Sequence, residues 1–364
     1  MSIRFKRISN AQAGLKIEWL DGQERTLSFL WLRDHARDPA SFDQHTHQRL
    51  LYTGGIDPNI VPVEWKLINE DDALVICWPD QLEPTEYSAA YLLESLFTPQ
   101  QSAAEHWGIQ CAPPNPQLSL QTVLNQGFSE FLQLLTAHGF VRIVDCPVDE
   151  SSVQLLAEKI GYVRETAFGG LWAFEANQAM ADSAYSSEAL RPHTDATYSL
   201  DAPGLQLLLC LEPGMNGGES ILVDGFAVAA EVCRRDPELY NSLCQIPVTG
   251  IYKGEGRVLR ATRPIFRQST SGVGIEQITF NNYDRDTLNL SEADTRAFYR
   301  GVFEIENYLN DPDVQWRSKL KAGEMIVFDN WRMLHGRGKF TGSRKMAGCY
   351  INREDYLSSC EVHA

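Results

Sequence analysis

A chain of 364 residues exceeds one small domain and fits a large catalytic domain with a lesser companion. With 43% hydrophobic residues and no apolar run near twenty it offers no membrane span, and a formal net charge of −16 argues against nucleic acid as a partner. The eight cysteines are scattered without a paired motif and the Met1–Arg7 start has no secretory core, so reduced thiols and a cytoplasmic location are expected.

Residues 1–97 read as a small β-rich domain. The run from Leu15 to Asp21-Gly22, followed by Thr26–Leu32, carries a hairpin signal, and Asp72–Trp78 reads as a further strand. Residues 98–120, punctuated by Pro99, Pro113, Pro114 and Pro116, read as a connecting segment, which leaves 121–364 as the large domain. Helices are expected over Ser151–Ile160, Ala227–Gln245 and Ser291–Asn310, the last opened by the capping pattern Ser291-Glu-Ala-Asp294.

Within the large domain, His193-Thr194-Asp195 precedes a polar loop and then the apolar run Leu205–Leu211, the pattern of a buried strand. Far downstream, Gly323–Phe328 reads as a short strand ending in the turn that carries His335. Two imidazoles and one carboxylate hold Fe(II) on one face and leave the opposite face open for oxygen and a cosubstrate. A histidine beside an aspartate is common by itself. Here the two histidines lie 142 residues apart, so only a folded barrel unites them. Nine residues after His335, Arg344 offers a planar fork for the remote carboxylate of a diacid.

These residues, with Gly161–Gly169, Pro203–Leu208, Gly217–Phe226, Phe280-Asn281-Asn282 and Phe328–Arg337, resemble the γ-butyrobetaine and trimethyllysine hydroxylase branch of the Fe(II)/2-oxoglutarate-dependent dioxygenases. The resemblance runs over most of residues 120–355. It implies a mixed β/α protein: a double-stranded β-helix (jelly roll) core with flanking helices, plus the small N-terminal domain. It implies Fe(II) on His193, Asp195 and His335, and 2-oxoglutarate on the iron and on Arg344.

Members of this branch that handle trimethylammonium compounds enclose the cation in aromatic rings, because a quaternary nitrogen has no proton to donate. Carried over by motif, the rings are Phe168, Trp172, Tyr185 and Tyr350. Asn282 is then a candidate donor to an anionic tail, with Tyr198, Arg191 and Arg285 near the motifs as further candidates. Ala196 stands where the animal γ-butyrobetaine enzyme resembles His-Thr-Asp-Tyr. Relatives often carry a zinc in the N-terminal module, but the three cysteine positions here are Ala36, Asp38 and Ser41, so no zinc is expected, although His35, His45 and His47 are nearby.

The reaction implied is hydroxylation of a small molecule by molecular oxygen, coupled to breakdown of 2-oxoglutarate to succinate and carbon dioxide. Asp195 favours hydroxylation, since related halogenases lack that carboxylate. The substrate is read as a trimethylammonium compound with an anionic tail, γ-butyrobetaine or 2-(trimethylammonio)ethylphosphonate. A taurine-type alkylsulfonate dioxygenase and a non-catalytic metal-binding or sensory protein on the same scaffold stay open. A homodimer follows by analogy with relatives only.

Overall fold

The structure, a computed structural model, describes residues 3–69, 72–94, 104–109, 111–175, 187–254, 256–270 and 274–363. It divides into two compact units, Met1–Gln100 and Gln101–Ala364.

In the first unit, strands Phe5–Ala11, Gly14–Trp19 and Glu24–Ser28 form one antiparallel sheet, and Glu64–Ile68, Ala73–Cys77 and Thr85–Ser88 form another. Leu15, Ile17 and Trp19 alternate with Lys16 and Glu18, so every second side chain turns inward. There they meet Leu74, Ile76, Trp78 and Tyr87 in one core. The expected hairpin turns at Gly22, whose φ of 90° suits a residue without a Cβ.

The three positions compared above with zinc-binding cysteines have other partners. Ala36 lies in the apolar core. Asp38 accepts hydrogen bonds from Thr85 Oγ1 (3.0 Å) and the Ala40 N–H (3.1 Å). Ser41 Oγ accepts from Arg33 Nη1 at 2.9 Å, while Arg33 Nε reaches both oxygens of Asp80 at 3.0 Å. Arg33 is buried, so these acceptors offset the desolvation of its charge. The His35 ring stacks on Trp31 with centroids 4.0 Å apart.

The second unit is a double-stranded β-helix. Its larger sheet runs Trp172–Glu175, Lys345–Ile351, Leu205–Glu212, Met325–Asp329, Phe140–Val144 and Gln117–Ser119 in spatial order. All neighbours are antiparallel except the last pair. The smaller antiparallel sheet runs Leu190–His193, Met333–Arg337, Ser220–Asp224 and Trp316–Ser318. Along the central strand, Leu205, Leu207 and Leu209 pack against helices Leu120–Asn125, Phe128–His138, Ser151–Ile160 and Arg353–His363. Cys210 and Leu208 face the other way and join Phe328, Leu222 and Met333 between the two sheets. Burial on both faces is why this strand reads as a continuous apolar run. The same alternation turns Tyr350 and Gln206 inward.

Helices occupy Ser151–Ile160 and Glu292–Leu309, the second capped by Ser291, whose Oγ accepts from the Asp294 N–H at 3.1 Å. The single helix expected over 227–245 is instead two, Gly225–Arg235 and Pro237–Leu243. Pro237 excludes Asp236 from the helical region, and the Asp236 carboxylate caps the second helix at the Leu239 N–H. The proline-punctuated stretch expected to connect two domains contributes to the second unit: Trp107 is buried between the sheets, and Gln117–Ser119 adds a parallel edge strand. No helix of the described residues is long and apolar enough to cross a membrane.

Candidate metal and cosubstrate site

His193 closes one edge strand of the smaller sheet and is paired directly with His335 on the next strand. That register brings the imidazole centroids to 4.5 Å. Asp195 follows two residues later, and its Oδ1 lies 3.3 Å from His193 Nε2 and 3.5 Å from His335 Nε2. The ligand atoms of the three all fall within 4.8 Å of one another, and no other such group occurs among the described residues.

Each member is oriented by its surroundings. His193 Nδ1 donates to the Arg191 carbonyl at 2.8 Å, which leaves the Nε2 lone pair facing the centre. Thr194 is pinned to Phe280 through both its N–H and its Oγ1, and its carbonyl accepts from Asn281 Nδ2. Asn330 Oδ1 accepts from the Asp195 N–H (2.8 Å), and its Nδ2 donates to the Asp195 carbonyl (3.2 Å). Tyr350 donates its hydroxyl to Asp195 Oδ2 at 2.7 Å. His335 is held by packing on Phe328, with ring centroids 4.7 Å apart, and its buried Nδ1 has no hydrogen-bond partner among the described residues.

Burial pushes the Asp195 carboxyl up, but the two histidines outweigh it and hold it well below the usual carboxylate range. Burial lowers His335, whereas at His193 the Asp195 carboxylate overcomes burial and raises the ring. The site therefore pairs one buried anion with two imidazoles whose Nε2 atoms converge on it. A divalent cation has the right donors here: two neutral nitrogens and one carboxylate oxygen.

The residues from Asp329 to His335 tie this corner together. Asp329 accepts from Arg353 at 2.6 Å, and Asn330 clamps Asp195. Arg332 forms a fully buried pair with Asp224 through two bonds of 3.1 and 2.8 Å. The same guanidinium donates to the carbonyls of Glu105, Thr136 and Ala137. Asp224 in turn accepts from the N–H groups of Phe226 and Trp107.

Arg344 is buried, and among the described residues it has no hydrogen-bond or ion-pair partner; it lies over the Phe340 ring at 5.7 Å. Burial lowers its pKa, as it must for a cation without an anion. Burial and the nearby Arg344 together push Arg337 down to about 10. Two desolvated guanidiniums near one ring, 4.9 and 5.7 Å from its centroid, make a cationic patch that suits a carboxylate.

The aromatic candidates fall into two groups. The Trp172 and Tyr350 rings lie 5.8 Å apart, on paired strands. Phe168 sits at the tip of a turn and meets Tyr252 edge-on at 5.6 Å, and Tyr252 lies 5.2 Å from Tyr198. Tyr185 lies outside the described residues. Tyr252, on strand Val248–Gly254, has no motif link to the metal residues and was not visible from spacing.

The anion-binding candidates divide. Arg191 is turned away from that role: its guanidinium is exposed and pairs with Glu306 at 2.6 Å, and only its carbonyl serves the site. Arg285 donates to Asn282 Oδ1 at 3.4 Å and lies over Phe298 at 5.3 Å, and Asn282 itself is exposed. Between them in sequence, Asp284 was missed. It accepts from Thr197 at 2.6 Å, and burial pushes its carboxyl up to about 6. Tyr283 was missed as well, although its ring packs on His193 at 5.6 Å and its hydroxyl accepts from the Arg191 N–H.

A jelly roll that gathers two histidines and an aspartate at strand ends, and that also buries an arginine unpaired among the described residues, defines an oxygenase scaffold of the facial-triad class. Residues 101–350 match the family described as taurine catabolism dioxygenase TauD, TfdA family, and residues 6–93 match the γ-butyrobetaine hydroxylase-like N-terminal domain. The chain is 31% identical to trimethyllysine dioxygenase of Meyerozyma guilliermondii, across 94% of this chain and 92% of the relative. It is 31% identical to the mitochondrial trimethyllysine dioxygenase of Homo sapiens, across 92% and 82%. It is 27% identical to the γ-butyrobetaine dioxygenase of Pseudomonas sp. strain AK-1, across 95% and 92%. Among solved structures, a taurine dioxygenase described as putative and α-ketoglutarate-dependent, from Burkholderia xenovorans, aligns with a TM-score of 0.53 at 13% identity, covering 69% of this chain and 92% of its own. AAD-2 in complex with Mn(II) and N-oxalylglycine aligns with a TM-score of 0.54 at 13% identity, covering 69% and 97%. The chain belongs to the TauD/TfdA family of iron- and 2-oxoglutarate-dependent dioxygenases, in the branch that carries the γ-butyrobetaine hydroxylase-like N-terminal domain.

Proposed function

We propose that this dioxygenase hydroxylates a small trimethylammonium compound with an anionic tail, using Fe(II) held by His193, Asp195 and His335 and 2-oxoglutarate held by Arg344. The observation that carries the reading is the Trp172–Tyr350 ring pair, joined to the metal-binding carboxylate by the 2.7 Å bond from Tyr350 to Asp195. A cation seated on those rings has its neighbouring carbons close to the triad. The trimethyllysine and γ-butyrobetaine dioxygenases to which the chain is similar support a trimethylammonium head.

Bound Fe(II) with 2-oxoglutarate supplies the oxidation of a C–H bond by oxygen, with succinate and carbon dioxide as co-products. The protein's part is placement. Arg344, whose charge is already desolvated by burial, would pair with the distal carboxylate of the cosubstrate. Asp195 presents one oxygen to the metal side and the other to Tyr350. Ring faces attract the quaternary nitrogen at roughly 0.5–2 kcal/mol each, depending on desolvation. Selectivity for one carbon then follows from the distance between rings and triad.

A panel of quaternary ammonium substrates tests this. γ-Butyrobetaine, trimethyllysine and 2-(trimethylammonio)ethylphosphonate are scored for oxygen-dependent succinate release beside taurine and the unmethylated amines. At least one trimethylated compound is expected to stimulate turnover well above its amine counterpart. Stimulation by taurine alone, or by the amines equally, would overturn the reading.

A further inference from the structure

We infer that the Tyr350 hydroxyl is a positioning group for the metal centre, so that this one side chain serves both the cation cage and the iron site. The inference rests on His193, Asp195 and His335 being the ligand set.

Three observations carry it. First, the Asp195 carboxylate is divided between two tasks: Oδ1 faces both histidine Nε2 atoms at 3.3 and 3.5 Å, while Oδ2 accepts from Tyr350 at 2.7 Å. Second, Asn330 already clamps the N–H and carbonyl of Asp195, so rotation of the carboxylate is the freedom that remains. Tyr350 removes it, with a hydrogen bond as short as a charge-assisted O–H···O pair should be. Third, the phenol is itself fixed. Tyr350 pairs with Gln206 across the sheet, and its ring leans on Trp172. Trp172 lies so close over Gly348 that a Cβ there would fall 2.5 Å from the indole. The hydroxyl is thus held by a sheet, independently of any metal.

Without that hydroxyl, Oδ2 is free to turn toward the metal and bind beside Oδ1. A two-oxygen carboxylate occupies a position that the cosubstrate or oxygen needs. Tyr350 keeps Asp195 to one oxygen, and the open face depends on it. The Trp172 ring has no such contact with Asp195, so the two walls of the cage differ in what they do for the metal.

The test is Co(II) binding to metal-free protein, read by calorimetry and by the visible absorption of the bound ion. Three proteins are compared: the parent, Tyr350→Phe and His193→Ala. The parent is expected to bind one Co(II), and His193→Ala to lose that binding. Tyr350→Phe should still bind one Co(II), but with a shifted and weaker visible absorption, because a second Asp195 oxygen on the ion would raise its coordination number. A parent-like spectrum in Tyr350→Phe would overturn the inference while leaving the ligand set standing. Parent-like binding by His193→Ala would instead remove the ligand-set reading on which the inference depends.

Discussion

Replacing Arg344 with methionine separates binding from stability at one position. Arg344 is a buried cation with no anionic partner among the described residues, so its charge is a burden that the fold carries for a ligand. Methionine retains much of the apolar stem that packs on Phe340 and removes the charge. The metal-free variant should therefore unfold at the same denaturant concentration as the parent or higher, by up to about 1 kcal/mol. Binding of 2-oxoglutarate should fall sharply. Two charge-assisted hydrogen bonds in a desolvated pocket are together worth about 3–5 kcal/mol, which is roughly 100- to 1,000-fold or more in affinity. Calorimetric titration of the Mn(II)-loaded protein without oxygen measures it. 2-Oxobutyrate, which lacks the distal carboxylate, is the control and should bind parent and variant alike. If Arg344→Met binds 2-oxoglutarate within threefold of the parent, Arg344 is not the clamp.

Further outcomes follow from the same geometry. Trp172→Ala should raise the KM for the trimethylammonium substrate about tenfold or more with a smaller change in kcat, measured by succinate release. Asp224→Asn leaves Arg332 buried without its anion and should destabilise the protein by about 3–5 kcal/mol, seen as a large drop in Tm. Asp284 keeps its proton to about pH 6 in the folded state, whereas the unfolded chain releases it near 3.8. Its contribution to stability is thus complete below about pH 4 and fades as the pH rises through 6. Asp284→Asn should stabilise the metal-free protein at pH 8, by up to about 3 kcal/mol, and do little at pH 4. Metal analysis after purification should find no stoichiometric zinc in the N-terminal unit, and stoichiometric zinc lost on replacing His35, His45 or His47 would refute that.

Much of the site was legible because its elements are local in sequence. His193-Thr-Asp195 sits at a strand end, and the apolar run behind it has the length and composition of a buried strand, which it is. The Ser151–Ile160 helix was visible in its own periodicity. What the chain hid is what depends on distant partners. Tyr350 looks like one more ring until the sheet register aims its hydroxyl at a carboxylate 155 positions earlier. Arg191 looks like a pocket arginine until the long helix brings Glu306 to it. Tyr252 belongs to a hairpin whose position relative to Phe168 no spacing encodes. Prolines around 113–116 mark the absence of regular structure, yet composition does not say whether such a stretch packs, and Trp107 does.

The seven positions from Asp329 to His335 concentrate four separate duties: holding Arg353, clamping Asp195, closing the Asp224 pair and presenting an imidazole. A laboratory campaign to broaden what this enzyme accepts should leave that stretch alone, because almost any change there damages folding and metal capture together. The better ground is where Phe168 meets Tyr252, which hang from a turn and a two-stranded ribbon outside those seven positions. Diversity introduced there should reshape what the Phe168 turn presents while leaving the seven-residue corner in place.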